Sequence, residues 1–81
     1  MKARDYLFRL AGLRYHTRRG SRRENALIIE VSTLVDQIAL SLDLRSTERY
    51  ALMMARASAL AGHPDLAIAK VEAVLRRIAE R

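Results

Sequence analysis

Apolar residues recur at intervals of three and four along almost the whole chain, and this pattern is interrupted at only three places. The interruptions are at Gly20, between Asp43 and Thr47, and from Gly62 to Asp65. Such spacing puts apolar side chains on one side of an α-helix, whereas a half-buried strand alternates polar and apolar residues. With three glycines and one proline in 81 residues, the chain also lacks the frequent turns of a β fold. The sequence therefore predicts a small all-α bundle of three to four helices.

The predicted helices cover about residues 3–19, 22–42, 47–61 and 65–80. Gly20 is expected to end the first helix, because glycine readily takes the left-handed conformation that follows many helices. Ser21, with Glu24 three residues later, is typical of a capping box at the start of the second helix. Ser46 is the predicted N-cap of the third helix. Pro64 is tolerated in the first turn of the fourth helix.

Each helix is predicted to bury one apolar face. In the first, second and fourth helices these faces comprise Ala3, Tyr6, Leu7, Leu10, Leu13, Thr17, Leu27, Val31, Leu34, Val35, Ile38, Leu42, Ala67, Ile68, Val71, Leu75 and Ile78. The third helix is rich in alanine, and its small residues should let it approach a neighbour closely; these are Ala51, Ala55, Ala59 and Ser58. Its other apolar residues are expected to fill space around it, and these are Tyr50, Met53, Met54, Ala57 and Leu60.

The length of the chain fits a single helical domain, residues 1–81, in which residues 1–23 form a basic N-terminal helix or arm. The sequence contains no cysteine, which excludes disulfides and thiolate metal sites. His16 and His63 have no nucleophile and carboxylate at a recognisable catalytic spacing. We therefore expect no enzyme activity, cofactor, metal or small-molecule substrate. No apolar run reaches the roughly 20 residues that span a bilayer, and we expect a cytoplasmic protein without a transmembrane segment.

Positive charge is concentrated in the first quarter of the sequence. Residues 1–23 contain eight basic residues and one acidic residue, a formal charge of +7 with His16 neutral. Residues 24–81 contain seven basic and eight acidic residues, a formal charge of −1. This asymmetry indicates a nearly neutral body with a basic arm that suits an acidic partner.

The densest part of the arm surrounds Gly20, at the predicted corner between the first two helices. Arg22 and Arg23 would lie in the first turn of a helix, where the macrodipole and free N–H groups disfavour a cation but favour an anion. A phosphate would satisfy both the N–H groups and the guanidinium groups. The alternative is a solvated surface whose charge Glu24 partly offsets. The predicted anion-binding cluster is Arg14, Arg18, Arg19, Arg22 and Arg23.

Arg4 and Arg9 extend this cluster along the first helix, and aromatic residues lie among them. Phe8 and Tyr15 fall outside the predicted packing face, so their rings are candidates for stacking on bases while arginine contacts phosphate. We therefore predict a polyanion-binding module, with nucleic acid as the expected polyanion. An anionic membrane surface or an organelle transit peptide is an alternative reading of the same arginine-rich segment.

A protein partner is a further alternative, because the second helix has apolar residues outside its core face. Ile29 and Leu40 form this second edge, which indicates a helix at the centre of a bundle or one that meets another chain. The predicted function would then be an assembly factor or helical adaptor, and a homodimer is one form of it. The basic arm would serve docking to an acidic surface.

The third and fourth predicted helices resemble one tetratricopeptide-type hairpin. The resemblance covers about residues 48–81, and the residues that carry it are Ala55, Ser58, Gly62, Asp65, Ala67, Ile68 and Leu75. The positions of the family's aromatic landmarks hold Ala51 and Val71, and the chain has no second copy. The resemblance implies a helical protein-binding module, whereas the alternative is an ordinary antiparallel helix pair.

Overall fold

A computed structural model shows four helices and confirms the predicted all-α bundle. The structure describes residues 2–18 and 24–80, without the side chains of residues 14–18, 24 and 25. The helices are α1 (Ala3–Arg18), α2 (Glu24–Ser41), α3 (Ser46–Leu60) and α4 (Pro64–Glu80). Within these described ranges there is no strand.

The central helix of the bundle is α4, which packs mainly against α3 and α1 and also contacts α2. Its Val71 and Leu75 are fully buried, together with Tyr6 and Leu10 of α1 and Ile38 of α2. The predicted apolar faces of these three helices are thus confirmed for the described side chains, with Ile78, Leu7, Leu13 and Leu42 partly buried at the margin of the core. The side chain of Thr17, also assigned to the face of the first helix, lies outside the described part of the structure. A central position for α2 was one reading of its second apolar edge, and that reading is wrong because the edge stays exposed.

Small residues on α3 and α4 are completely buried where these two helices pack together. Ala55 and Ala59 of α3 and Ala67 of α4 have no exposed surface, so little side chain separates the two helices. The predicted packing of the small residues of α3 is therefore confirmed for Ala55 and Ala59, whereas Ala51 and Ser58 are only partly buried. Because only Ala61, Gly62 and His63 connect them, α3 and α4 form an antiparallel hairpin. The resemblance to a tetratricopeptide hairpin stays a prediction.

The third helix begins one residue earlier than predicted. Arg45, not Ser46, is the N-cap residue, and its backbone N–H donates a 2.8 Å hydrogen bond to Oε1 of Glu48. The prediction for Ser46 was wrong because it relied on a side-chain acceptor, whereas Glu48 satisfies the start of the helix by reaching back from the first turn. Glu48 is nearly buried, with 3% of its surface exposed.

The turn between α3 and α4 explains why the chain has glycine and proline there. Gly62 has φ of 94°, a conformation that L-residues with a side chain rarely adopt. The N–H of Gly62 donates to the carbonyl of Ala59, and that of His63 to Ser58, as in a Schellman motif. Pro64 is the first residue of α4, where the missing N–H costs no helical hydrogen bond.

The outward side of α3 differs from its prediction. Tyr50, Met53 and Leu60 each expose about 64–65% of their surface, and Met54 exposes 43%. These residues and Ala57 therefore face solvent instead of filling space between helices. Leu52 fills the core instead, because it shares a face with the buried Ala55 and Ala59 at helical spacing.

Candidate polyanion-binding surface

The solvent face of α1 is set by the residues that the helix buries. Ala3, Tyr6 and Leu10 point into the core, so Arg4 and Phe8 lie on the opposite side, four residues apart. Phe8 exposes 83% of its surface, although it is the only phenylalanine in the sequence. The structure gives Arg4 no ion pair with any residue that it describes. Phe8 therefore lies outside the packing face, as the sequence predicted, and on the same side of α1 as Arg4.

Arg9 lies at the edge of this face and is held in place by neutral groups. Its Nη1 donates a 2.8 Å hydrogen bond to Oε1 of Gln37 on α2. Its guanidinium carbon also lies 5.9 Å from the centre of the Tyr6 ring, within the range of a cation–π contact. Neither partner carries a negative charge, so Arg9 is oriented while its positive charge is not neutralised.

Asp5, the acidic residue of α1, forms hydrogen bonds with the backbone at the start of the helix. The backbone N–H of Lys2 donates a 3.0 Å hydrogen bond to Oδ2 of Asp5, and the N–H of Asp5 donates to the carbonyl of Lys2. Negative charge in the first turn complements the positive end of the helix dipole. Asp5 thus stabilises the beginning of α1 and lies one turn away from Arg9.

The densest part of the predicted cluster is only partly described. Arg14, Tyr15 and Arg18 belong to α1, but their side chains are outside the described part of the structure. Arg19, Arg22 and Arg23 lie outside the described residues altogether. Gly20 and Ser21 lie there as well, and the side chain of Glu24 is also outside the described part, so the predicted helix end and capping box stay predictions. The segment nevertheless follows α1 directly in the sequence, and Arg4 and Arg9 lie on that helix.

Two basic residues of the body, Arg56 and Arg76, have carboxylate partners, unlike Arg4 and Arg9 of α1. Arg56 Nη2 lies 3.7 Å from Oδ2 of Asp36, which joins α3 to α2. Arg76 Nη2 lies 3.7 Å from Oε2 of Glu72, which is four residues earlier on α4. These exposed pairs contribute little stability. They do lower the local positive charge, which Gln37 does not do for Arg9.

The two residues predicted for a protein partner are both exposed but do not form one surface. Ile29 exposes 65% and Leu40 exposes 89% of their surfaces. They are about 16 Å apart along α2, with the exposed Thr33 and Asp36 between them. Ile29 instead borders an open depression of about 400 Å³ between α1 and α2, which Arg9 also lines.

Gln37 is the residue at this surface that sequence reasoning missed. A single glutamine on a helix gives no periodic signal, and its link to Arg9 spans 28 positions in the sequence. In the described part of the chain, no group of histidine, aspartate and glutamate side chains is arranged to hold a metal ion. None of the described helices is long and apolar enough to cross a membrane.

The chain matches no protein-family model, no curated protein and no solved structure.

Proposed function

We propose that this protein is a non-enzymatic module that binds a polyanion, and that this polyanion is nucleic acid. The contact would be made by α1 and the basic segment that follows it. The observation that carries the proposal is the exposed ring of Phe8 on the same helix as Arg4 and Arg9, which have no carboxylate partner within the described residues. The formal charge of +7 in residues 1–23 supplies the attraction.

The exposed ring favours nucleic acid over a simple anion. A phosphate ion needs only guanidinium and N–H groups, and it gains nothing from an aromatic side chain. A single strand presents bases that stack on aromatic rings, at about 1–3 kcal/mol per base, while its phosphates bind arginine. Position 15 follows Arg4 and Phe8 at helical spacing, so Tyr15 would extend the same stacking face.

The fixed position of Arg9 also supports the proposal. A free arginine side chain loses rotamer freedom when it binds, whereas the hydrogen bond to Gln37 and the contact with Tyr6 order this side chain beforehand. Only some of its donors are used, so the others stay available for a phosphate oxygen. Arg9 would therefore help to set the path of the nucleic-acid backbone across α1.

The proposal is tested with two variants that lose the same number of positive charges. The site variant replaces Arg14, Arg18, Arg19, Arg22 and Arg23 by glutamine. The control variant replaces Arg45, Arg49, Arg56, Arg76 and Arg77, which are all exposed in the body. Binding of both variants to a labelled single-stranded oligonucleotide is measured by fluorescence anisotropy at several salt concentrations.

We expect the site variant to lose at least about a hundredfold in affinity at low salt, since several phosphate contacts disappear together. The control variant should lose much less affinity, because it keeps the arginines of the basic arm. Its net charge falls by the same amount, so the comparison separates the position of the charge from its total. Equal losses in the two variants would show that only net charge matters and would contradict the proposed site. An absence of binding by the unaltered protein would contradict the function itself.

A further inference from the structure

The outward face of α3 is an uninterrupted apolar surface. Tyr50, Met53, Met54, Ala57 and Leu60 are spaced by one, three and four residues, so they form one stripe along the helix. All are exposed, and they lie on the side of α3 opposite Leu52, Ala55 and Ala59. We refer to these five residues as the α3 stripe. It covers about three turns, which is the length over which one helix packs along another.

The side chains of the α3 stripe suit a helical partner. Ala57 lies between the larger Met53, Met54 and Leu60, so it leaves a notch that a large partner side chain would fill. Methionine is flexible and polarisable, and it adapts to the shape of a partner helix. Apolar anchors at spacings of three, four and seven residues are the contacts by which amphipathic helices are recognised.

The charged residues beside the α3 stripe indicate the sign of the charge that a partner would carry. Arg49 and Arg56 follow one edge of the stripe, whereas Thr47 and Ser58 follow the other. Arg49 has no carboxylate partner among the described residues, and Arg56 is only loosely paired with Asp36 at 3.7 Å. Glu48, the acidic residue of α3, is buried and bound to the N–H of Arg45. The exposed edge of α3 is therefore positive.

A second copy of the chain does not complement this edge. An antiparallel pair of α3 helices about a twofold axis would bring the two arginine edges together. A parallel pair would place each arginine edge against Thr47 and Ser58 of the other copy, which supply no negative charge. The formal charge of +6 on each chain also opposes self-association.

A lipid surface fits the α3 stripe less well than a helix does. An interfacial helix lies with its apolar face in the membrane and an extended basic face toward water. The face of α3 opposite the stripe is instead buried against α4 and α2. Arg49 and Arg56 lie along one edge of the stripe only, where they could contact one row of acidic residues on a neighbouring helix.

We propose that the α3 stripe binds an amphipathic helix of another protein, and that acidic residues border the apolar face of that helix. The apolar residues of the partner would cover Met53, Met54 and Leu60, and one large side chain would enter the notch at Ala57. A glutamate or aspartate row would lie beside Arg49 and Arg56. This surface is on a different helix from the proposed nucleic-acid site, so one chain would join the two ligands.

The probe is a synthetic amphipathic peptide of about three heptads with leucine on its apolar face and glutamate along both borders. A second peptide has lysine in place of each glutamate and is otherwise identical. Methyl-labelled methionine provides the readout by NMR, because the sequence has only Met1, Met53 and Met54. The resonances of Met53 and Met54 report on the stripe, and that of Met1 serves as an internal comparison.

We expect the glutamate peptide to shift the Met53 and Met54 resonances and to bind about tenfold or more tightly than the lysine peptide. Arg49→Glu should remove most of this preference, because the new carboxylate offsets the charge of Arg56 along the same edge. Ala57→Glu should abolish binding because it places a charged side chain in the notch. Leu40→Ser is the matched control, since Leu40 is an exposed apolar residue on another helix. Far-UV circular dichroism confirms that each variant is folded.

Three results would overturn the proposal. Equal shifts with both peptides, or none with either, would show that no acidic helix is recognised. Shifts of Met53 and Met54 that depend on protein concentration alone would identify a second copy as the occupant. Loss of these two signals on anionic vesicles, without a response to the peptide, would identify lipid. Phe8→Ala should leave peptide binding unchanged, so the outcome is separate from that of the nucleic-acid proposal.

Discussion

Nη1 of Arg9 donates a 2.8 Å hydrogen bond to the side-chain oxygen of Gln37, and this contact links α1 to α2 across 28 positions of the sequence. The partner of the cation is an amide, which orients the guanidinium group without cancelling its charge. In the proposed function this distinction decides whether Arg9 contributes to binding. The identity of residue 37 therefore becomes an experimental variable.

Replacement of Gln37 by glutamate should weaken nucleic-acid binding. The new carboxylate would pair with Arg9 and compete with phosphate, so the slope of log K against log salt on duplex DNA should fall in magnitude by up to about 0.9. Gln37→Met is the control, because it removes the hydrogen bond but leaves Arg9 unpaired. Affinity is measured over a salt series. A glutamate variant that behaves like the methionine variant would show that Arg9 makes no phosphate contact.

Phe8→Ala should reduce affinity for a single strand by roughly 5- to 150-fold, which corresponds to the stacking energy of one base. The salt slope should stay unchanged because no charge is lost. Since Phe8 is 83% exposed, the free energy of unfolding should change by less than about 0.5 kcal/mol. Leu40→Ala removes an equally exposed side chain and should leave binding intact. If both variants bind as the unaltered protein does, Phe8 is not a stacking residue.

The two described glycines should respond oppositely to alanine. Gly62→Ala should destabilise the fold by about 1–2 kcal/mol, because φ of 94° is unfavourable for a residue with a side chain. Gly12 lies inside α1, and an added Cβ there would have no atom within 4 Å. Gly12→Ala should therefore stabilise the fold by about 0.5–1 kcal/mol. Urea denaturation measures the free energy of unfolding of both variants. Changes of the same sign in the two variants would contradict these backbone conformations.

A larger side chain between α3 and α4 should be poorly tolerated. Ala59 is fully buried where the two helices approach closely, so Ala59→Leu should destabilise the fold by about 1–3 kcal/mol. Ala57 is on the opposite side of α3 and exposed, and Ala57→Leu should change stability by less than about 0.5 kcal/mol. Equal urea midpoints for the two variants would show that α3 has a different orientation.

Much of the fold was predictable, because helical periodicity and chain breaks are local properties. The breaks near Gly20, Asp43 and Gly62 gave the number of helices, and residues such as Tyr6 and Ile38 followed from spacing alone. The start of α3 was predicted less well, since Glu48 replaced the expected Ser46 in satisfying the first turn. Local preference alone does not rank two competing capping residues.

The outward face of α3 was mispredicted for a different reason. This helix has two apolar stripes, one through Leu52 and Ala55 and one through Tyr50 and Met53, and periodicity does not say which is buried. The structure shows that the stripe with smaller residues packs inside, where α3 and α4 approach closely. The hydrogen bond between Arg9 and Gln37 was likewise not predictable from the sequence, because it depends on how two helices are placed relative to one another.

In the proposed function an external polyanion neutralises the excess positive charge of residues 1–23, so affinity for duplex DNA should depend strongly on salt. With about five phosphates neutralised, log K should fall linearly with log salt at a slope of about −4 to −5. Affinity that does not change between low and physiological salt, or an absence of binding at low salt, would contradict the account.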